Sequence, residues 1–376
     1  MFRPLFDKLK ISREKLAWVL DSTSSPVAIL IPFIGWGVYI MGLIQAEFEN
    51  LGVAESDYTT FVRAIPFQFY AILAIIMIPL VAFTKLDFSQ MKKAEMRAEK
   101  ENRAADLVQE EIVHEIKNGY SLKHAKPIMV ILPIVVVFAT LFGTLAPLGF
   151  PFAKVDGNAF RVALTMGYFF GAAVLMALIC LFKVMDFNET FKVYVGGMKG
   201  MTDVAITLIL AWSLGKMISG LGTAEFIVKF LQDMSFSASL VPAAVFLFGA
   251  FISFSTGSSW GTFAIMIPLA IPMAHAFGIP FYIAVGAVLS GGLFGDHCSP
   301  ISDTTILSST GAGCGLVEHI KTQLPYAAVN GTIAFIAYII TGLTGSEAAL
   351  GFAVIALIVV MAVLNRISAA RLAGKE

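Results

Sequence analysis

Between Ser290 and Thr310 the chain reads SGGLFGDHCSPISDTTILSST. Two carboxylates, Asp296 and Asp303, and one imidazole, His297, stand there among the hydroxyls of Ser290, Ser299, Ser302, Thr304, Thr305, Ser308 and Ser309, all gathered around Pro300. Carboxylates and hydroxyls are hard oxygen ligands, suited to sodium and other hard cations. A carboxylate that holds either a proton or a cation, but not both, exchanges one for the other. The stretch lies in an apolar sequence, where an ionised carboxylate near the bilayer centre costs at least about 3 kcal/mol. Two other readings stay open. Asp296, His297 and Cys298 together could ligate zinc or form a nucleophile–base pair, although neighbours in sequence rarely aim at one centre. The polar residues could also be loop caps at a membrane surface.

An unbroken helix would put Asp296 and Asp303 on one face, two turns apart. Pro300 removes a backbone donor and biases Ser299 away from helical geometry. Gly291, Gly292 and Gly295 loosen the backbone just before it. The pattern predicts a broken transmembrane helix over about 281–310, two half-helices around an unwound centre. Half-helix ends offer free carbonyls to a cation and free N–H groups to an anion.

Two further polar patches interrupt apolar runs. Ser255, Thr256, Ser258 and Thr262 lie in STGSSWGT, between SLVPAAVFLFGAFISF and FAIMIPLAIPMAHAF. An uncharged, hydroxyl-rich turn between short apolar arms reads as a re-entrant hairpin over about 238–276. Irregular backbone at membrane depth is tolerated only when buried in protein or lining a wet cavity. The alternative is a plain loop between two ordinary helices. The other patch is Asp21-Ser22-Thr23-Ser24-Ser25-Pro26, which opens the apolar run Val27 to Ala46. It reads either as an N-cap with Pro26 in the first helical turn or as a polar unwound entry into the membrane.

Composition sets the frame for these patches. Of 376 residues, 57% are hydrophobic and 14% charged, where a soluble domain carries about a quarter charged. The chain reads as an all-α polytopic membrane protein. Spans are expected at about 27–46, 65–84, 127–148, 160–182, 202–220, 326–343 and 347–364. Residues 221–235 form an amphipathic, interfacial segment. Residues 85–126 read as a charged, helical cytoplasmic linker with many i to i+4 opposite-charge pairs, its His114 and His124 solvated. The connection 183–200 and the basic start, MFRPLFDKLKISREK, are cytoplasmic by charge, and that start lacks the apolar core of a signal peptide. Zero net charge implies no nucleic-acid partner. Cys180, Cys298 and Cys314 show no CxxC spacing and no disulfide framework.

SGGLFGDHCSPISDTTILSSTGAG, followed by EHIKTQLPYA, resembles the NhaC-type sodium/proton antiporter family. ISREKLAWVLDSTSSPVAILIP (11–32), AIPFQFYA near residue 64, LILAWSLG (208–215) and FSTGSSWGTFAIMIPLA (254–270) are similar to further signatures of it, so the likeness covers nearly the whole chain. It implies a sodium/proton antiporter of the plasma (inner) membrane rather than an enzyme. No cofactor, a lipid surrounding and, by analogy, a homodimer go with it. The implied fold is an inverted-repeat, elevator-like transporter with re-entrant hairpins and broken helices. Residues 1–84 would be the remnant of a truncated first repeat, a broken helix over 21–46 plus one span, with 85–126 a linker and 127–376 the second half. Carried over by matching positions, Asp296, Ser299, Ser302, Asp303 and Thr304 form the second-repeat site, with Asp296 and Asp303 on the sodium. Ser255, Thr256, Ser258 and Thr262 form its hairpin tip. Asp21, Ser22 and Thr23 are what survives of the first-repeat site. Relatives exchange sodium or protons with lactate, malate or other small organic solutes. The alternatives are therefore sodium- or proton-coupled exchange of a small organic acid or amino acid, or a non-transporting membrane fragment that needs a partner.

Overall fold

The computed structural model describes residues 3–100, 126–150, 157–200 and 220–373, with isolated positions between 201 and 220. Among the described residues every regular element is helical. In chain order the helices are α1 (Arg3–Lys8), α2 (Arg13–Ala28), α3 (Gly35–Leu51), α4 (Asp57–Ala64), α5 (Phe69–Thr84), α6 (Ser89–Lys100), α7 (Ile128–Leu145), α8 (Gly157–Leu181), α9 (Phe187–Gly200), α10 (Thr223–Asp233), α11 (Val241–Thr256), α12 (Ser259–Phe277), α13 (Phe281–Cys298), α14 (Asp303–Ala312), α15 (Leu316–Thr344) and α16 (Ala348–Ala373). Among the described residues, seven helices are long and apolar enough to cross a membrane, or eight if the bent pair Asp57–Phe67 and Phe69–Thr84, which meet at 49°, is one span. The protein is an all-α, multi-pass membrane protein. The segment expected to span 202–220 lies largely outside the described residues, as do 101–125 with His114 and His124.

The chain divides into two compact units. One holds Met1–Glu55, Thr60–Leu107 and Ala211–Glu376; the other holds Ser56–Thr59 and Val108–Leu210. In the second unit α7 packs on α8 through two small residues. A Cβ at Gly167 would lie 3.0 Å from the Val137 carbonyl oxygen, and one at Gly171 would lie 2.7 Å from a Val137 methyl.

In the first unit α13 is the central element, and fifteen of its residues, Asp296 included, are buried. Its glycines set the spacing to its neighbours. A Cβ at Gly291 would come within 2.3 Å of the Phe246 carbonyl oxygen on α11, and one at Gly295 within 2.2 Å of the Ala250 carbonyl oxygen. Gly286 admits the backbone of Phe67, and Gly292 admits the Phe263 ring of α12. Polar side chains close the gaps where these backbones meet. Ser253 donates to the Gly292 carbonyl at 2.6 Å. Tyr338 of α15 shares its hydroxyl proton between the carbonyls of Phe67 (2.6 Å) and Gly286 (2.8 Å). Ser290 accepts from the Tyr70 amide at 3.3 Å, one of the N-terminal amides of α5 that has no partner within its own helix.

Three sequence expectations change in this unit. DSTSSP neither caps a helix nor unwinds. It lies inside α2, whose N-cap is Ser12, accepting from the Lys15 amide at 3.2 Å. The helix continues because its hydroxyls bond back to its own carbonyls: Thr23 donates to Val19 at 2.6 Å and Ser24 to Asp21 at 2.8 Å, which absorbs their polarity. The run Val27 to Ala46 is not one span, and in the stretch 21–46, expected as a broken helix, the break lies beyond DSTSSP. The helix breaks between Ala28 and Gly35, where a Cβ on Gly37 would sit 2.6 Å from the Pro32 Cα. Finally, α15 starts at Leu316 rather than near residue 326, and carries Pro325 inside it.

The hairpin connection between α11 and α12 is a tight turn at Gly257 and Ser258. Its arms are longer than their sequence suggests. Ala238–Thr256 and Ser259–Phe277 have 19 residues each, which at 1.5 Å per residue is roughly 28 Å, close to the hydrocarbon thickness.

The α11–α13 contact gives a direct stability test. Gly295→Ala is expected to lower stability by about 1–3 kcal/mol through overpacking. Gly42→Ala in α3, where nothing lies within 4 Å of the added carbon, is expected to leave it unchanged or raised by up to about 1 kcal/mol. Thermal unfolding of the detergent-purified protein measures both.

Candidate functional site

The site is built at the break after α13. Backbone helix stops at Cys298, and Ser299 and Ser302 take extended geometry around Pro300 before α14 begins. Proline lacks the amide that would continue the ladder. The Ser299 hydroxyl donates to the Phe254 carbonyl of α11 at 2.8 Å. The tip of the hairpin also comes close, because a Cβ on Gly257, whose φ is +65°, would lie 2.8 Å from Ile301. Only glycine takes that backbone region without strain.

Across the break, the first turn of α14 reaches back to Asp296. Ser302 donates to Oδ1 and Thr304 to Oδ2, both at 3.0 Å. Asp296 is 1% exposed and Ser302 is fully buried. The N-terminal end of α14 carries partial positive charge, which favours a carboxylate there. The result is an all-oxygen cluster of one carboxylate and two hydroxyls. Asp303 does not join it. It is exposed, and its Oδ1 accepts from the Thr304 amide at 2.9 Å.

The hairpin-tip hydroxyls serve their own helices. Ser255 and Thr256 are exposed and donate to the Phe251 and Ile252 carbonyls. Ser258 caps α12, accepting from the Gly261 amide at 3.2 Å, and buried Thr262 donates to the Ser258 carbonyl at 2.8 Å. None of the four hydrogen-bonds to Asp296.

A second buried carboxylate lies beside this cluster. Asp21 of α2 is fully buried. Its Oδ2 accepts from Gln323 Nε2 at 2.6 Å and from the Thr305 hydroxyl at 3.3 Å, and His319 Nε2 stands 3.6 Å away. The Gln323 amide also donates to the His297 carbonyl at 3.0 Å, and the His297 ring pairs with the Tyr70 hydroxyl at 3.1 Å. Ser22 is buried beside Asp21, whereas Thr23 is turned outward. Thr304 serves Asp296 and Thr305 serves Asp21, so one turn of α14 connects both carboxylates.

His319, Gln323 and Tyr70 were not singled out in the sequence. The signal for the first two was their i, i+4 spacing, which puts both on one face only once α15 is seen to begin at Leu316. The rival zinc or nucleophile arrangement finds no support in the geometry. The His297 ring faces Tyr70, and among the described residues no group of three or more His, Cys, Asp or Glu is placed to hold a metal ion.

Charged residues at one end of the unit hold these helices in place. Lys15 of α2 bridges Asp87 and Glu95 at 2.8 Å each, and Tyr326 of α15 donates to Asp87 at 2.8 Å. Arg3 donates to the Gly311 carbonyl at 2.8 Å and Arg13 to the Gly313 carbonyl at 3.2 Å. Cations suit those free C-terminal carbonyls of α14.

A sequence profile of the Na+/H+ antiporter family matches residues 27–343. An uncharacterised protein of Haemophilus influenzae is 35% identical over 97% of this chain and 71% of its own length. An arginine/ornithine antiporter of Halobacterium salinarum is 30% identical over 38% of this chain and 29% of its own length. The Na+/H+ antiporter NhaC of Alkalihalophilus pseudofirmus is 35% identical over 24% of this chain and 20% of its own length. The chain thus spans less than a third of either named antiporter. No solved structure matches it significantly.

Gln323→Leu tests the link between α2, α13 and α15. It withdraws a donor from the buried Asp21 carboxylate and from the His297 carbonyl, and is expected to cost about 1–3 kcal/mol, read as a lower unfolding temperature in detergent.

Proposed function

The chain belongs to the Na+/H+ antiporter family, and from that premise we propose that it exchanges sodium for protons through the Asp296 cluster. The observation that carries this reading is the cluster's chemistry. A buried carboxylate faces two hydroxyls at 3.0 Å in a helix break, and oxygen donors of this kind suit a hard monovalent cation. Free carbonyls near the unwound segment would complete the shell. The cargo can be a proton or a sodium ion on the same carboxylate, and mutual exclusion couples the two flows. Asp303, exposed and accepting from the Thr304 amide, plays a lesser part in this reading. The protein would work in the plasma (inner) membrane, surrounded by lipid, as a homodimer.

A second reading keeps the cluster and changes the cargo. One relative is named an arginine/ornithine antiporter, so coupled exchange of a small organic acid or amino acid competes with simple sodium/proton exchange. Sodium-driven proton flux that rises only when one such solute is added would favour it.

The test of the first reading is sodium-driven proton movement in vesicles containing the purified protein. Asp296→Asn is expected to abolish it, and Asp303→Asn to leave most of it. Full activity after both substitutions together would overturn the proposal.

A further inference from the structure

The Asp296 cluster leaves a second set of buried, chemically active groups unused. Asp21 Oδ1, Gln323 Oε1, His297 Nε2 and both ring nitrogens of His319 are buried without a hydrogen-bond partner. Most buried polar atoms in folded proteins are paired, and an unpaired one costs about 1–3 kcal/mol. Five such atoms on four neighbouring residues are therefore a cluster that needs a function.

We propose that Asp21 and His319 form a proton-holding site separate from the cation site. This rests on the reading of the Asp296 cluster as the sodium site. The donor sets differ in kind. Around Asp296 every side-chain donor is oxygen, the shell that a hard cation takes. Around Asp21 an imidazole nitrogen and an amide stand beside the single Thr305 hydroxyl. Carboxylate beside imidazole is the pairing that holds and releases a proton in proteins. His319 Nε2 lies 3.6 Å from Asp21 Oδ2, just beyond hydrogen-bond length, with both side chains fully buried.

The groups facing this pair come from four helices packed around it. Thr305 comes from α14, Gln323 from α15 and His297 from α13, with Tyr70 of α5 behind His297. Asp296 is the next residue along α13. The charges nearer the start of α2 are already engaged: Arg13 with Asp7, Glu14 with Arg97, and Lys15 with Asp87 and Glu95. None of those hydrogen-bonds to Asp21.

In the proton-loaded form His319 is an imidazolium beside the Asp21 carboxylate, and Asp296 carries its own proton. When sodium enters, it takes the Asp296 carboxylate and the Asp296 proton leaves to water. In a poorly solvated interior the sodium charge also acts on the neighbouring imidazolium. The His319 Nε2 proton leaves to water, and neutral imidazole remains beside the Asp21 carboxylate. Binding of each ion disfavours the other by the same factor, as linkage requires. Two contacts carry the change between the sites. Thr304 and Thr305 share one helical turn, and Gln323 bonds both Asp21 and the carbonyl of the residue after Asp296.

The test is proton release on adding sodium to the purified protein in weakly buffered detergent, followed with a pH dye alongside bound sodium. His319→Gln is expected to keep sodium binding while the protons released per sodium drop by about half, because one of two coupled proton positions is gone. Asp21→Asn is expected to lower the proton yield in the same way. An unchanged yield in both variants overturns this inference and leaves the Asp296 reading intact. Undiminished sodium binding in Asp296→Asn overturns the Asp296 reading instead. Should the variants not fold, ring-15N spectra of histidine-labelled native protein decide the matter. A histidine resonance that moves from the imidazolium to the neutral position on adding sodium at fixed pH supports the proposal. The absence of any such change overturns it.

Discussion

A carboxylate buried among apolar helices must find hydrogen-bond donors, and Asp296 finds both of its own only because α13 stops at Cys298. In a continuous helix, Ser302 and Thr304 would stand six and eight residues along, pointing to other faces. The break at Pro300 folds the first turn of α14 back over the carboxylate. The other contacts of the site follow from that break. Ser299 is freed to bond the Phe254 carbonyl, Gly257 of the hairpin turn packs on Ile301, and Thr305 is brought to Asp21.

The break is held by unusually close packing. Gly291 and Gly295 let the backbone of α13 approach the carbonyls of α11 to distances that no side chain would permit. In lipid there is little hydrophobic drive between helices, so small residues and side-chain hydrogen bonds carry the association. Ser253, Ser290 and Tyr338 supply those bonds along α13. At one end, Lys15 with Asp87 and Glu95, and Arg3 and Arg13 with the carbonyls of α14, fix α2 and α14 relative to α15. Two buried carboxylates can then stand close together without sharing a ligand. One is served by oxygens alone, and the other has nitrogen-bearing neighbours.

Local signals were legible where the chemistry is local. Pro300 after a glycine-rich stretch marked the break, and STGSSWGT between two apolar arms marked the hairpin turn. DSTSSP carries no such signal, because a run of Ser and Thr ahead of proline looks alike in a cap and in a helix whose hydroxyls bond back to its own carbonyls. The start of α15 at Leu316, some ten residues before its apolar run, is equally silent in the sequence. The polar stretch GLVEHIKTQ reads as a connection until its His319 and Gln323 are seen facing Asp21.

The sequence by itself determined the membrane class, the family and the position of the unwound segment. Composition, motif and proline act within a few residues of where they stand. Tertiary structure decided which polar groups meet. It turned Asp303 outward and kept Asp296 buried. It bonded the hairpin hydroxyls to their own helices, and it brought Gln323 to Asp21 across 302 residues of chain. No periodicity within one helix could specify that contact, because its geometry comes from how α2, α13, α14 and α15 pack.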